Sequence, residues 1–270
     1  MRIKAVLLVI PALFFFSARS QSMGTNSVLD YSMDRLPENY GGSMELKRFL
    51  EYHLYYPPAE LKEKKEGKVV IGFTVTKEGK ITNPRIIERL SPALDKEAFR
   101  LFSMLLWMPA LQRKKEVDYE YTIDIPFKVS RYKKSLKYRG DISSFLQKME
   151  PDTGFTIHEK VDKQARYLFG NDSLAQYMSA NFQYPDMAKL HNIEGTVYLN
   201  FVVEPNGYVS NIKVEKGLGG GCSEEAVRLV GETKWKPAEK NGKRVRSRMV
   251  YPVQFTINNT FRDNSASEQK

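Results

Sequence analysis

The feature that most constrains this chain is that it carries one pattern twice. Tyr56-Pro57 falls on Tyr184-Pro185, an offset of 128 residues, and the offset continues without a gap. It puts Gly67 on Gly195, Val69 on Val197, Phe73 on Phe201, Gly79 on Gly207, Asn83 on Asn211 and Glu97-Ala98 on Glu225-Ala226. Further on, Trp107 meets Trp235, Pro109-Ala110 meets Pro237-Ala238, and Phe127 meets Phe255. A period this long, occurring twice, means duplicated domains; the units of a solenoid run about 20 to 50 residues. The domains read as 37–130 and 165–258, joined by a basic linker, 131–164, in which Ile142–Met149 is expected to hold some structure. Residues 259–270 form a polar tail of the kind that frays.

The local grammar agrees between the copies. Val197, Leu199, Phe201 and Val203 recur at the two-residue period of a strand, as do Val69, Ile71, Phe73 and Val75. Pro205-Asn206-Gly207 supplies a turn, and Val209–Val214 completes a hairpin that matches Ile81–Ile86. A helix follows, with Ser223 expected as its cap and Ala226, Leu229, Val230 and Thr233 on one stripe. In the first copy Asp95 is the expected cap, with Ala98, Leu101, Phe102 and Leu105 at the same spacing. The last strand, Met249–Ile257, sets Met249, Tyr251, Val253, Phe255 and Ile257 on one face, and Ser173–Phe182 reads as an amphipathic helix upstream of Tyr184-Pro185. The predicted class is therefore α+β: two tandem domains, each a small antiparallel sheet packed against two helices.

Charge and motifs narrow the function. The formal charge of +10 raises nucleic acid as a partner, but the first residues argue against it. Arg2 and Lys4 precede an apolar stretch, Ala5–Phe16, and Ala18 and Ser20 are small residues before Gln21, the pattern of a secretory signal peptide over residues 1–20. As a helix that stretch covers roughly 18 Å against about 30 Å of hydrocarbon, although an uncleaved anchor is the alternative. Cleavage removes Arg2, Lys4 and Arg19, leaving +7 on an exported chain whose anionic neighbours are membranes, cell-wall polymer or acidic receptor surfaces. A single cysteine, Cys222, excludes an internal disulfide framework.

The run Leu218-Gly219-Gly220-Gly221 before a helix resembles a phosphate cradle, yet the matching loop of the first copy, Arg89 to Leu94, has no glycine. No Gly-Lys-Ser/Thr follows and Cys222 stands where a dinucleotide fingerprint needs glycine. The glycines are expected to serve a strand-to-helix bend. His53, His158 and His191 are widely separated, and no metal, cofactor or catalytic constellation is expected.

These residues carry a family resemblance. The order Tyr184-Pro185, Gly195-x-Val197, Phe201-x-Val203, Gly207, Glu225-Ala226, Trp235-Lys236-Pro237-Ala238, Asn241-Gly242, Pro252-Val253-x-Phe255 resembles the TonB C-terminal domain, in the form typical of Bacteroidetes envelope proteins. The first copy is a degraded match that reads Trp107-Met108-Pro109-Ala110-Leu111-Gln112 and lacks the glycine of the following turn. The resemblance implies a periplasmic, non-enzymatic module that binds the TonB box of outer-membrane TonB-dependent receptors. It also implies coupling to an ExbB and ExbD motor if the chain is anchored. In the family the box peptide adds beside the last strand, near the segment leading into Tyr-Pro. Carried over, the expected binding residues are Asn181, Gln183, Tyr184, Met249, Val250, Tyr251, Val253, Gln254 and Phe255. The chain departs from a full transducer, which has a membrane helix and a long proline-rich spacer: residues 21–40 contain one proline, Pro37. A non-transducing envelope adaptor that holds peptidoglycan, a membrane or a partner protein is the alternative, and self-association into a homodimer stays open.

Overall fold

Alternating apolar residues at strand spacing need a helical layer to bury their inner face, and both copies supply it in the same order. The structure, a computed structural model, describes residues 33–139 and 151–257. The expected signal peptide, Ile142–Met149 and the tail from 259 lie outside the described residues. The first copy comprises β1 (Glu38–Asn39), α1 (Gly42–His53), α2 (Pro58–Lys62), β2 (Gly67–Val75), β3 (Ile81–Glu88), α3 (Pro92–Met104), β4 (Trp107–Met108), β5 (Ala110–Gln112), β6 (Lys115–Val117), β7 (Tyr119–Phe127) and α4 (Val129–Arg139). The second comprises β8 (Ile157–His158), β9 (Arg166–Tyr167), α5 (Asn171–Asn181), α6 (Asp186–Leu190), β10 (Gly195–Val203), β11 (Val209–Lys216), α7 (Cys222–Gly231), β12 (Trp235–Lys236), β13 (Ala238–Lys240) and β14 (Lys243–Phe255).

The sheets are ordered β3-β2-β7 and β11-β10-β14, antiparallel throughout these pairs. The offset seen in sequence holds as register: Gly67 faces Phe127 and Gly195 faces Phe255. Both hairpins slip at the same place, where Asn83 and Asn211 sit at φ 52° and 53°, a left-handed conformation that asparagine tolerates better than most residues. Even the small pairing of β1 with β4 recurs as β9 with β12. Two cores result. One gathers Phe49, Tyr56, Phe73, Leu101, Trp107 and Phe127; the other gathers Met178, Tyr184, Phe201, Leu229, Trp235 and Phe255.

Helix starts differ from the sequence reading. Ser91, followed by Pro92 at the first helical position, caps α3 by accepting from the Leu94 N–H at 3.3 Å, while Asp95 accepts from Leu90 N–H. Ser223 is no cap either; α7 begins two residues earlier than that cap implies, at Cys222 behind Gly221, and the Ser223 hydroxyl bonds the backbone of Leu218. The glycine run does serve the bend. Gly220 is at φ +65°, and a Cβ there would lie 3.0 Å from the Ala188 backbone. Arg131–Arg139, read as linker, continues α4, whose Tyr132 packs on Tyr56 and whose Arg139 Nε donates to Glu51 O at 2.7 Å.

The copies meet along a polar seam. Arg246 of β14 is 3 % exposed and grips Glu204, 0 % exposed, through Nε at 2.9 Å and Nη2 at 2.8 Å. The same guanidinium donates to Met104 O, the carbonyl that ends α3 of the first copy, at 2.9 Å and to Phe155 O at 2.7 Å. Asn211 completes the junction: its Nδ2 donates to Met104 O and its Oδ1 accepts from Leu106 N–H. On the other side of the seam, His53 of α1 reaches Val209 O at 3.3 Å, with Asn206 Nδ2 at 3.3 Å from its Nδ1.

That arrangement suits a neutral imidazole, and burial holds the His53 pKa well below its ordinary value. Unfolding therefore takes up a proton below about pH 6.5, so stability is full above that value and falls as pH drops through it, by up to about 1.4 kcal/mol per pH unit. Buried Glu45, whose pKa is raised, acts in the opposite sense nearer the carboxylate range. Urea titrations at pH 7.5 and 5.5 should show the loss in the wild type and a smaller one in His53→Gln; equal losses would remove His53 as the cause.

Candidate functional site

Each copy holds its Tyr-Pro segment with the same clamp. Glu225 accepts from Gln183 N–H at 2.7 Å while Arg228, paired with Glu225 at 2.7 Å, donates to Asn181 O at 2.6 Å. In the first copy Glu97 accepts from Tyr55 N–H and Arg100 donates to His53 O, both at 2.7 Å. The tyrosines act alike: Tyr184 donates to Ile193 O at 2.6 Å and Tyr56 donates to Lys65 O. The Glu-Ala signature is thus a device that fixes how the first helix hands over to Tyr-Pro. The second copy keeps one detail that the first has lost. Trp235 Nε1 donates to Thr233 Oγ1 at 2.7 Å, whereas Leu105 takes that place in the first copy and Trp107 Nε1 is buried without a partner.

β14 pairs β10 along its length from Ser247 to Phe255. Before that stretch it pairs β13 at Lys243–Val245, and on the side away from β10 it carries β8, in parallel, against Arg246 and Ser247. From Arg248 onward the strand therefore stands at the margin of the sheet among the described residues. Tyr251 and Gln254 have further contacts within the chain. Arg248 is exposed, and Val250 is 57 % exposed.

The nine sequence-predicted residues fall into two groups. Asn181, Gln183 and Val250 face solvent, with Met249 and Gln254 half-buried; Tyr184, Tyr251, Val253 and Phe255 are buried. The two segments do come together, since the Phe255 ring lies 5.0 Å from that of Phe182 and 5.8 Å from that of Tyr184. The Gln183 N–H and Asn181 carbonyl are taken up by the Glu225–Arg228 clamp. Residues that sequence reasoning missed are Arg248, and Glu204 with Arg246, which fix where the margin begins. The signal for the last two was available as the replacement of Thr76 and Asp118 by Glu204 and Arg246 at the repeat offset.

Cys222 is buried, which pushes its thiol pKa up. A cavity of about 270 Å³ opens at the seam beside Arg100, Phe155 and Arg244, but the carboxylate in its wall, Glu204, is held by Arg246 and Ser210. No cluster among the described residues could hold a metal ion.

The family model for the Gram-negative bacterial TonB protein C-terminal matches residues 52–129 and 180–257, together more than half of the chain. The chain belongs to the TonB C-terminal family. It is a tandem member of a non-enzymatic family, and each matched stretch runs from the end of the first helix through the last strand. Among solved structures, the chain is similar to the solution NMR structure of residues 179–285 of the Helicobacter pylori TonB C-terminal domain, at 25 % identity, covering 31 % of this chain and 77 % of that one with a TM-score of 0.26. It is also similar to the structure of residues 194–285 of the same protein, at 17 % identity, covering 32 % and 91 % with a TM-score of 0.25. No curated protein matches the chain. No helix among the described residues is long and apolar enough to cross a membrane.

Proposed function

We propose that this TonB-family chain works in the periplasm and binds the TonB box of outer-membrane TonB-dependent receptors by strand addition along β14, in support of energy-coupled transport. The observation that carries the reading is the position of β14: it is the marginal strand of the copy that keeps the full signature, beginning at Arg248. A peptide laid there would gain main-chain hydrogen bonds, while exposed Val250 and the Asn181–Gln183 segment would meet its side chains. Titrating the chain with a synthetic receptor-box peptide should shift the amide resonances of Arg248–Phe255. No shift at millimolar peptide would end the proposal.

One observation favours a second reading, an envelope adaptor without transduction. Arg131, Lys133, Lys134 and Lys137 are all exposed on α4, a basic face suited to anionic wall polymer or lipid. Co-sedimentation with isolated peptidoglycan, released by salt, would support it. Coupling to an ExbB and ExbD motor requires that residues 1–20 stay attached, which the N-terminal residue of the native protein decides.

A further inference from the structure

Every sheet has two margins, and the copies treat the margin opposite β14 and β7 differently. In the second copy β11 is that margin, and its first half is buried; in the first copy the matching β3 is mostly exposed. Val209 and Ile212 point into the core of their own copy and Asn211 is held by Met104 and Leu106, while α1 lies along the outer backbone edge of the strand. Arg48 donates through Nη2 to Val209 O at 3.0 Å and His53 approaches the same carbonyl, while the Glu45 side chain lies against the Ile212 backbone. Gly41 sits so close that a Cβ there would come within 2.7 Å of Ile212 O. Arg48 is itself held by Glu45 at 2.7 Å and by Gly231 O at 2.6 Å. Side chains of a helix thus occupy backbone groups that an added strand would use.

β3 needs no such cover at the matching place, because Pro84 stands where Ile212 stands and has no N–H to offer. Glu45, Arg48 and His53 do not recur either; the offset places Ser173, Gln176 and Asn181 there. The device belongs to the union of the two copies and not to the module.

We propose that the first copy acts as a cap on β11, that β11 is a second strand-accepting margin, and that the occupant it takes once α1 is withdrawn is an extended peptide like the one that adds to β14. The intact chain then accepts one strand and not two. This rests on the strand-addition reading, and the test separates the two ideas. Arg48→Ala and the double variant Glu45→Ala/Arg48→Ala spare Leu46, Phe49 and Leu50, which anchor α1 to its own core. In D2O, either variant should speed exchange of the Ile212 amide at least tenfold while Val69–Val75 of the first copy stay protected.

Titration of the variants with the synthetic receptor-box peptide should then shift Val209–Lys213 as well as Arg248–Phe255, with stoichiometry rising from one to two. If Ile212 is unmasked and β11 stays silent while β14 responds, the cap proposal is overturned and strand addition at β14 stands. A response at β11 with β14 silent supports the cap and sinks the β14 reading; silence at both overturns both. Unchanged Ile212 exchange in the two variants would itself overturn the cap.

Discussion

Arg246→Met is expected to lower the unfolding free energy by about 3–5 kcal/mol, because removing one member of a buried pair strands the other charge. Here the stranded group is Glu204, fully buried, left with only the Ser210 hydroxyl at 2.5 Å. Phe155 O also loses a donor, although Met104 O keeps Asn211. Adding Glu204→Leu should recover part of the loss, since an apolar pair of similar size often matches a buried ion pair. Denaturant midpoints for the wild type, both single variants and the double variant give the coupling directly. Because the pair joins β14 to the end of α3, the single variant should also split one cooperative transition into two. A wild-type midpoint in Arg246→Met would refute the assignment.

Phe255→Ala should be comparably severe, at about 3–5 kcal/mol for a buried aromatic ring. The ring is 0 % exposed and packs against Phe182 and Tyr184, so its loss loosens the end of β14 and the Tyr-Pro segment together. Val250→Ala on the outer face should stay within about 0.5 kcal/mol. The contrast matters for binding assays: peptide affinity lost in Phe255→Ala reports unfolding of the margin, whereas affinity lost in Val250→Ala at unchanged stability reports contact. Thermal melts run beside the titration distinguish them, and a stable Phe255→Ala would show that the ring is not part of the core.

What was legible in the sequence was whatever repeats or alternates. The offset matched the strands of the two copies residue by residue, and the two-residue period marked the faces of β2, β10 and β14. Caps were harder, because several side chains near a helix start can accept a hydrogen bond; Ser91 took the role expected of Asp95, and a glycine preceded α7 where Ser223 was expected. The partners across the seam were not legible, although the replacement of Thr76 and Asp118 by Glu204 and Arg246 marked two of its residues. Arg246 meets Met104 across 142 positions and Asn211 meets it across 107, so neither periodicity nor spacing could reveal them. Within the candidate site, alternation set Tyr251, Val253 and Phe255 on one face, and the structure buries them, but the fixing of Gln183 and Asn181 by Glu225 and Arg228 depends on a turn between distant elements.

The contact between the copies joins unlike surfaces, α1 of one against β11 of the other. A head-to-tail contact of this kind, if each unit presented both surfaces, would add unit after unit into a filament. The α1–β11 contact is not offered again by this pair, because Pro84 stands at the matching acceptor and Ser173, Gln176 and Asn181 stand in place of the donors. The duplication has made the two units unlike at the surfaces by which they meet.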